Sequence, residues 1–484
     1  MQKPARVALD LGAESCRVSL LRWHGEKPVA DLIHRTPNGP VHRGNALHWP
    51  IASILAGLEE GLRKAAAAAP EGIASIAVDS WSVDYARLAP DGSLLREPFC
   101  YRDERTVQTK EAADALIAPF DLYQRTGTLP LRINTIYQLL ADAAVGAEGK
   151  NQSIEARAPW AMLPEYVLYW LSGCRVAEFT NATHTGLVNL KTGDWDADLF
   201  RRLGLPLEAA PRIVPTGTIL GPLRGPLQDA LASLDAYRHT QIIAPATHDT
   251  ASAIAGIPAD LGAAAYISTG TWSLVGTTTS VPVTSQQALD AGYTNIGAAG
   301  GDFLFHSLIN SMWVLKKCMD AWAEQGRVWA IEDLVQQAAA RDATTGVLDM
   351  DAEALMLDTE MPQRVNRELA RLGVGPIPDL PGNEPVFARV IFESLAARYA
   401  AALTNLEKML GRKLERIHMI GGAARNKLLI RLTEQRTGLP VEIGECESAT
   451  TGSFAIQLAA SEAAGKAVTP DSIRHWAKRL CERC

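Results

Sequence analysis

The 484 residues are enough for two or three domains, and a hydrophobic fraction of 47% is ample for packed cores. A net charge of −7 provides no basic surface for nucleic acid. No stretch reaches the roughly 18 apolar residues of a membrane helix, so we expect a cytoplasmic protein without membrane partners. The seven cysteines are scattered and odd in number, which does not indicate a disulfide framework. We interpret the terminal pair, Cys481 and Cys484, as two thiols and not as a metal site.

The first half begins with a predicted hairpin. The apolar runs Arg6–Leu11 and Arg17–Trp23 flank the small residues of Gly12–Cys16, a pattern typical of two strands joined by a turn. A helix is predicted over Trp49–Ala69 because apolar residues recur there at helical spacing, and Ser75–Ser80 indicates a buried strand. Strands and helices alternate from there on, which predicts an α/β fold.

A weak internal repeat divides the chain. Residues 7–21 and 265–276 each combine an apolar strand, a tip of small residues and a second apolar strand. Their separation of about 260 residues is far longer than a solenoid repeat and indicates two related domains. We predict a boundary near residue 256, with domains over 1–256 and 257–484. The second half is further predicted to contain, in order, a helix over Val386–Leu410 capped by Gly411, a strand over Arg416–Ile420 and a helix from about Ala424.

The first candidate site is the hairpin tip Asp10–Arg17. Asp10 at a strand end can hold a hydrated Mg²⁺, and Gly12 with the small residues after it lets backbone N–H groups approach a phosphate. Ser15 and Arg17 can add donors. An ordinary hairpin with a glycine turn is the alternative interpretation.

The second candidate site is His248–Ser252. Asp249 follows the apolar strand Gln241–Pro245, and the small residues after it are predicted to open a helix. A carboxylate in that position suits a general base in a cleft. The alternative is that Asp249 only caps the helix, since Asp is a favoured N-cap residue.

Two further candidate sites lie in the second half. The hydroxyl and N–H groups of Ser268–Trp272, the tip of the second hairpin, can surround the β- and γ-phosphates of a nucleotide. Gly421–Asn426 joins a strand to a helix, where glycines permit close approach of a base or ribose. A polar hairpin turn and a ligand-free strand–helix turn are the alternatives. Taken together, the four sites indicate a nucleotide cleft between duplicated domains, although neither a P-loop nor a G-x-G-x-x-G motif occurs.

The chain resembles the FGGY-type carbohydrate kinases of the actin-like ATPase superfamily over nearly its whole length. The segments that carry the resemblance are Asp10–Arg17, Asp79–Tyr85, Tyr101–Thr106, Asn134–Leu139, Glu178–Thr183, His248–Ala253 and Ser268–Leu274. Phe179–Leu190 is more similar to the rhamnulokinase branch of that family. The resemblance implies two related actin-like (ribonuclease H-like) domains with a nucleotide and sugar cleft between them. It also implies ATP and Mg²⁺ as cofactors and a small-molecule sugar as substrate.

The resemblance further implies roles for individual residues. Asp249 is expected to be the catalytic base and Asp10 to hold the metal ion. The expected sugar contacts are Ser82, His248, Thr250 and Asn310, with Asn310 in a helix-like segment, His306–Cys318. The expected ATP contacts are Ala13, Glu14, Ser15, Cys16, Arg17, Thr271, Cys318, Gly422 and Ala423.

Several positions depart from the family's pattern. Cys16 and Ser82 stand where glycine is common, and Ile296 stands where a Thr-Asn-Glu-Gly motif has its glutamate. Ala423 replaces the third glycine of the adenosine turn, and Cys318 replaces a nucleotide-contacting glutamine. These changes bear on the choice of sugar and on ATP affinity, and they leave Asp10 and Asp249 in place.

The expected reaction is ATP-dependent phosphorylation of a ketose, with L-rhamnulose converted to L-rhamnulose 1-phosphate in L-rhamnose catabolism. One alternative is an FGGY kinase for another sugar, such as L-fuculose, D-xylulose or L-ribulose. The other is a non-catalytic actin-like sensor of nucleotide or sugar, against which Asp249 argues because a sensor needs no base. The sequence carries no signal for an oligomeric state.

Overall fold

The computed structural model describes residues 3–144, 154–224, 231, 234–342, 346–357, 359–445 and 447–482, so Cys484 lies outside the described residues. The strands, in chain order, are β1 (Ala5–Leu11), β2 (Ser15–His24), β3 (Lys27–Pro37), β4 (Val41–Arg43), β5 (Ala46–His48), β6 (Ile73–Ser80), β7 (Tyr85–Arg87), β8 (Trp160–Met162), β9 (Val176–Glu178), β10 (Val188–Asn189), β11 (Asp194–Trp195), β12 (Arg212–Val214), β13 (Thr218–Pro222), β14 (Gln241–Ala244), β15 (Ala264–Thr269), β16 (Trp272–Thr279), β17 (Tyr293–Gly297), β18 (Phe303–Asn310), β19 (Arg416–Gly421) and β20 (Val441–Ile443).

Helices connect and cover these strands. The α-helices are Ile51–Ala68, Thr106–Leu116, Pro119–Thr126, Thr135–Ala144, Ile154–Arg157, Leu163–Ser172, Phe179–Thr183, Ala197–Leu203, Asp249–Ala255, Gln286–Asp290, Met312–Glu324, Ile331–Ala339, Met361–Arg371, Glu384–Leu410, Lys427–Thr437, Ser448–Ala463 and Pro470–Cys481. Short 3₁₀ turns occupy Leu207–Ala209, Asp235–Tyr237, Glu353–Met356 and Gly422–Arg425. Within the described part of the chain, no helix is both long and apolar enough to cross a membrane.

The first large sheet has the strand order β13-β14-β6-β1-β2-β3. Strands β1, β2 and β3 pair antiparallel in succession, whereas β6 runs parallel to β1 and β14 runs parallel to β6. The carboxyl ends of the three parallel strands therefore meet at one edge. That edge carries the hairpin tip after β1, the loop after β6 and the segment that leads from β14 to Asp249.

The second large sheet has the order β17-β18-β16-β15-β19-β20 and repeats five strands of the first. Strand β15 pairs antiparallel with β16, and β16 pairs antiparallel with β18. On the other side, β19 runs parallel to β15 and β20 runs parallel to β19. Five strands of each sheet share the same antiparallel and parallel pairings, whereas the sixth strand is added at opposite ends, beside β14 in the first sheet and beside β18 in the second. This correspondence confirms the predicted α/β class and the internal duplication.

The two longest predicted helices are confirmed. Ile51–Ala68 buries Ile54, Leu58 and Leu62 at the spacing that predicted it. Glu384–Leu410 ends at Gly411, which adopts the left-handed conformation with φ of 63° that favours glycine after a helix.

The predicted helix-like segment His306–Cys318 is wrong. Residues up to Asn310 belong to β18, which pairs with both β16 and β17, and the helix starts only at Met312. Asn310 therefore ends a strand. Short apolar runs fit both structures, and here two neighbouring strands decide in favour of the strand.

One helix from the end of the chain packs on the first half. In Ser448–Ala463, Gln457 donates from Nε2 to the carbonyl oxygen of Val7 (3.1 Å) and accepts from the hydroxyl of Ser75 (2.6 Å). Gly452 lies so close to helix Asp249–Ala255 that a Cβ would stand 1.8 Å from the carbonyl oxygen of Ser252. This approach, open only to glycine, ties the end of the chain to the helix that carries Asp249. The division at residue 256 stays a prediction.

Candidate active site

Asp10 and Arg17 form a partly buried ion pair at the base of the first hairpin. They lie opposite each other in the β1–β2 register, and Arg17 Nη1 donates to Asp10 Oδ2 over 2.7 Å. Burial raises the pKa of Asp10 to about 6, and the positive charge of Arg17 opposes that rise. Arg17 also lies 3.6 Å from Glu447, which precedes helix Ser448–Ala463, so the cation faces acids from both halves of the chain.

The tip of the first hairpin is open at only some of its predicted nucleotide contacts. Ala13 is half-buried and Glu14 is exposed, and the carbonyl oxygen of Glu14 accepts from the N–H of Asn38 (2.9 Å). The hydroxyl of Ser15 accepts from Arg35 Nε (3.0 Å), which leaves its own proton free to be donated. The side chain of Cys16 is buried in the apolar core of the first sheet, so only its backbone can take part in binding.

Asp249 is the first residue of helix Asp249–Ala255, and His248 occupies the N-cap position. Its Oδ1 accepts from the backbone N–H of Thr250 (2.5 Å) and from the Thr250 hydroxyl (3.2 Å). Desolvation by the surrounding protein raises the pKa of Asp249 to about 6 and the hydrogen bonds from Thr250 oppose that rise, while 39% of its side chain remains exposed. Asp249 is therefore a carboxylate that faces open space and is a stronger base than an ordinary aspartate.

Asp79 joins these two acids in one cluster. It lies opposite Asp10 in the parallel β1–β6 register. Burial raises the pKa of Asp79 well above its ordinary value, and the charges of Asp10 and Asp249 raise it further. The structure thus brings together Asp10 and Asp249, which are far apart in sequence. Asp79 belongs to Asp79–Tyr85, one of the segments that carry the family resemblance, but no role was predicted for it. An acid near the end of a buried strand does not by itself indicate a functional site.

A second set of side chains lines the cleft beside Asp249. His248 Nε2 lies 3.6 Å from Asp249 Oδ1, and the ring of His248 packs edge-on against the ring of His184 with centroids 5.1 Å apart. His184 Nδ1 lies within hydrogen-bond distance, 2.6 Å, of the Ser82 hydroxyl. Burial lowers the pKa of His184 to about 3 and that of His248 to about 4, so both rings are neutral at physiological pH. Sequence reasoning missed His184.

The loop that carries Ser82 is held in a strained conformation. Val83 adopts a φ of 70°, which is unfavourable for a β-branched residue. Its carbonyl oxygen accepts from Thr135 Oγ1 (2.7 Å) and from Gln138 Nε2 (3.2 Å), and Gln138 also donates to Asp84 Oδ1 (3.0 Å). Strain of this kind persists only where neighbours over-determine it, and it is concentrated at ligand sites.

The turn after β19 is tied to the second hairpin. Thr269 Oγ1 donates to the carbonyl oxygen of Ile420 (2.7 Å) and accepts from the N–H of Ala423 (3.1 Å). Gly421 has a φ of 85°, and a Cβ there would stand 2.2 Å from the carbonyl oxygen of Thr269. Gly422 is exposed, with no atom within 4 Å of where its Cβ would be, so a flat ring can approach. The predicted contact Thr271 lies in the hairpin tip and is half-buried.

Two predicted contacts in the second half are enclosed. Asn310 is fully buried; its Nδ2 donates to the carbonyl oxygen of Leu355 (2.9 Å), while its Oδ1 has no hydrogen-bond partner among the described residues. Cys318 is fully buried in the apolar core of the second sheet. Its side chain does not reach the surface of the cleft, so its position gives no support for the predicted nucleotide contact.

The acidic cluster suits Mg²⁺ bound together with a nucleotide. Among the described residues, no group of three or more His, Cys, Asp or Glu side chains is arranged to hold a metal ion alone. Mg²⁺ in nucleotide sites is usually held by one or two carboxylates, by waters and by the phosphates themselves. Asp10 provides such a carboxylate, and Oδ1 of the neighbouring Asp79 has no hydrogen-bond partner among the described residues. The donor set therefore fits the ion.

Comparison with known proteins agrees with this geometry. The FGGY family of carbohydrate kinases matches with its N-terminal domain over residues 5–256 and its C-terminal domain over residues 265–461. A rhamnulokinase of Bacteroides thetaiotaomicron is 34% identical over 450 residues, which cover 93% of this chain and 89% of that protein. A rhamnulokinase of Enterobacter sp. (strain 638) is 35% identical over 458 residues, which cover 93% of this chain and 88% of that protein.

Solved structures show the same fold at lower identity. A gluconate kinase from Lactobacillus acidophilus superposes with a TM-score of 0.75 at 19% identity, over 98% of this chain and 96% of that one. A Plasmodium falciparum glycerol kinase, solved with ADP, superposes with a TM-score of 0.77 at 13% identity, over 99% of this chain and 93% of that one. These neighbours confirm the predicted two-domain actin-like fold.

Two duplicated sheets, with an acidic cluster at the strand ends of the first, define a two-domain protein of the actin-like fold. The chain belongs to the FGGY family of carbohydrate kinases, and its relatives of 34% and 35% identity are rhamnulokinases. It is therefore a sugar kinase, of a class that uses ATP and takes a small-molecule sugar as substrate.

Proposed function

We propose that the enzyme transfers the γ-phosphate of ATP to the primary hydroxyl of a ketose, and that this ketose is L-rhamnulose, giving L-rhamnulose 1-phosphate in L-rhamnose catabolism. The rhamnulokinase relatives support the choice of sugar. The observation that carries the proposal is the meeting of Asp10 and Asp249 at one edge of the first sheet, where the charge of Asp249 raises the pKa of Asp10. The cytoplasmic location stays a prediction.

In this mechanism Asp249 accepts the proton of the sugar hydroxyl. A pKa of about 6 leaves Asp249 mostly ionised at neutral pH and makes it a better base than an ordinary aspartate. The hydroxyl becomes acidic only as its oxygen bonds to phosphorus, so a positioned carboxylate suffices in a loose transition state. Closure of the two lobes around both substrates would exclude water and limit wasteful ATP hydrolysis.

ATP would lie between the two hairpin tips. The backbone N–H groups of Ala13 and Glu14, the hydroxyl of Ser15 and the cation of Arg17 would face the phosphates from the first half, with Cys16 contributing through its backbone, and Thr271 would face them from the second. Gly422 and Ala423 would contact the adenosine. Asp10, with Asp79 beside it, would hold Mg²⁺, which neutralises charge on the β- and γ-phosphates when bound.

The sugar would contact Ser82, His184, His248 and Thr250, with the free Oδ1 of Asn310 as a further acceptor. Neutral imidazoles can both donate and accept hydrogen bonds, so His184 and His248 suit the hydroxyl groups of an uncharged polyol better than an anionic substrate.

A panel of ketoses tests this proposal. The purified enzyme is assayed for sugar-dependent ADP release with L-rhamnulose, L-fuculose, D-xylulose and L-ribulose. We expect the highest kcat/KM for L-rhamnulose. A higher value for another ketose would reassign the substrate within the family, and no ADP release with any sugar would favour a non-catalytic sensor.

A further inference from the structure

Two buried glutamates that the proposed mechanism does not use lie behind the segment that carries Asp249. Glu165 belongs to helix Leu163–Ser172, and Glu178 ends β9. Both side chains have an exposed fraction of 0%. All four of their carboxyl oxygens accept hydrogen bonds from neighbouring protein groups, so neither glutamate is available to the sugar or the nucleotide. Their contacts nevertheless converge on Thr247, two residues before Asp249.

Glu178 accepts hydrogen bonds from three threonines. Its Oε2 accepts from the N–H of Thr247 (3.0 Å), from the N–H of Thr180 (3.0 Å) and from the hydroxyl of Thr180 (2.5 Å). Its Oε1 accepts from the hydroxyl of Thr216 (2.5 Å). The carboxylate thus fixes the backbone N–H of Thr247, which lies beyond the end of β14.

Glu165 holds the side chain of the same threonine. Its Oε1 accepts from the Thr247 hydroxyl (2.6 Å) and from the N–H of Glu178 (3.1 Å), and its Oε2 accepts from Asn181 Nδ2 (3.1 Å). The Thr247 hydroxyl also lies 3.2 Å from Glu178 Oε2, so it bridges the two carboxyl groups. Thr247 is therefore clamped through both its backbone and its side chain.

The remaining backbone groups of the segment are also paired. The N–H of Ser80 donates to the carbonyl oxygen of Thr247 (2.9 Å), and the N–H of His248 donates to the hydroxyl of Thr180 (3.3 Å). The carbonyl oxygen of His248 accepts from the N–H of Ser252 (2.9 Å). Since Thr180 is itself held by Glu178, the glutamate controls both residues that precede Asp249.

This arrangement costs stability. Among the described residues, no Lys, Arg or His forms an ion pair with either glutamate, and burial raises the pKa of Glu165 to about 7 and that of Glu178 above its ordinary value. Two buried carboxyl groups without a counter-ion are unfavourable unless hydrogen bonds compensate them. Their placement is therefore better explained by the geometry that they impose than by a contribution to folding.

We propose that Glu165 and Glu178 are positioning residues that hold Thr247 and His248, and through them orient the carboxylate of Asp249 toward the sugar hydroxyl. The inference rests on the proposed role of Asp249 as the base. It predicts that the pair acts on the rate of phosphoryl transfer and not on the binding of ATP, because no contact of either glutamate leads to the hairpin tips.

The test compares Glu178→Ala with Glu178→Gln. Loss of the carboxylate frees the N–H of Thr247, and a displacement of about 1 Å at a reacting group can cost on the order of 10²-fold in rate. We expect Glu178→Ala to lower kcat at least ~10-fold while KM for ATP changes less than about 2-fold. Glu178→Gln should recover most of kcat, because its amide oxygen can accept from Thr247 while its NH₂ group turns to the hydroxyl of Thr216.

A matched control separates positioning from stability. Glu384 is also a buried glutamate that accepts from a backbone N–H, that of Gly382 (2.8 Å), but it lies at the start of helix Glu384–Leu410 and also pairs with Arg327 Nη1 (2.8 Å). Glu384→Ala should lower Tm without lowering kcat per folded enzyme. If Glu178→Ala behaves like this control, or if Glu178→Gln is as slow as Glu178→Ala, the inference is overturned.

Two further variants keep the outcomes distinct. If Glu178→Ala does not fold, Thr247→Val removes the bridging hydroxyl with little change in shape. A kcat lowered about 3-fold or more with unchanged KM for ATP supports the inference, and an unchanged kcat overturns it.

Asp249→Asn is assayed in parallel. Turnover that survives Asp249→Asn would reject the proposed base itself, whereas an inactive Asp249→Asn beside a fully active Glu178→Ala would reject only the positioning role.

Discussion

Arg17 Nη1 lies 2.7 Å from Asp10 Oδ2, while Asp79 lies opposite Asp10 on the neighbouring parallel strand. Asp10 therefore stands between a cation and a second acid. Burial and the charges of Asp249 and Glu447 raise the pKa of Asp10, whereas Arg17 lowers it, and the resulting pKa is about 6. The ionised form of Asp10, which the proposed mechanism requires for Mg²⁺, thus depends on Arg17.

Replacement of Arg17 by methionine should shift the acid limb of the pH–rate profile. Without the guanidinium, the pKa of Asp10 rises further, so the fraction of ionised Asp10 falls at a given pH below neutrality. We expect the acid limb of kcat/KM for ATP to move to higher pH, and the activity near pH 6 to fall more than the activity near pH 8. The measurement is kcat/KM for ATP across that range.

Arg22→Met is the control for this change. Arg22 is on the same strand and pairs with Asp31 (3.1 Å) at the surface, away from the acidic cluster. Its replacement should leave the profile in place. An acid limb that stays fixed or moves to lower pH in Arg17→Met would show that Arg17 does not govern the ionisation of Asp10.

Replacement of His184 by alanine should weaken sugar binding selectively. The ring lies 2.6 Å from the Ser82 hydroxyl and packs against His248. Its loss removes one proposed sugar contact, His184, and frees the side chains of Ser82 and His248 to move. Loss of a hydrogen-bonding group of this kind costs about 1–3 kcal/mol, so KM for the sugar should rise at least ~5-fold. KM for ATP should be unchanged in the same assay.

The exposed residue His42 provides the matched variant, His42→Ala, which should leave both constants unchanged. If His184→Ala changes KM for the sugar and KM for ATP equally, His184 stabilises the fold and does not act specifically in sugar binding.

Replacement of Gly421 by alanine should weaken ATP binding. A Cβ at Gly421 would collide with the carbonyl oxygen of Thr269 at 2.2 Å, and the φ of 85° is itself unfavourable for alanine. The turn would have to move away from the second hairpin, so we expect KM for ATP to rise several-fold and Tm to fall.

Gly438→Ala separates the effect of the collision with Thr269 from the effect of the unfavourable φ. Gly438 has a similar φ of 71° but no atom within 4 Å of its Cβ position. This variant should lose about 1 kcal/mol of stability with unchanged KM for ATP. The same rise of KM in both variants would contradict a specific contact between the turn and the hairpin.

The sequence was sufficient to predict the hairpins, the long helices and the meeting of Asp10 with Asp249, because these follow from local apolar patterns and from parallel strand ends. The sequence was insufficient where the conformation of a residue depends on a contact with a residue far away in the chain. Val83 reaches a φ of 70° only because Thr135 and Gln138 hold its carbonyl oxygen. No local pattern indicates left-handed backbone at a valine.

The same reason explains the other differences. His184 acquires its role through Ser82, a residue 102 positions earlier. The run that contains Asn310 became a strand because β16 and β17 flank it. Cys318 was assigned from the resemblance alone, and the packing of helix Met312–Glu324 turns its side chain into the core.

The most direct test of the account is the turnover of Asp249→Asn with saturating L-rhamnulose and ATP. Asparagine keeps the shape of the side chain but cannot accept the proton, so kcat should fall at least ~10²-fold while ATP binding and Tm stay near those of the unmodified enzyme. A kcat within a few-fold of the unmodified enzyme would contradict the assignment of Asp249 as the base.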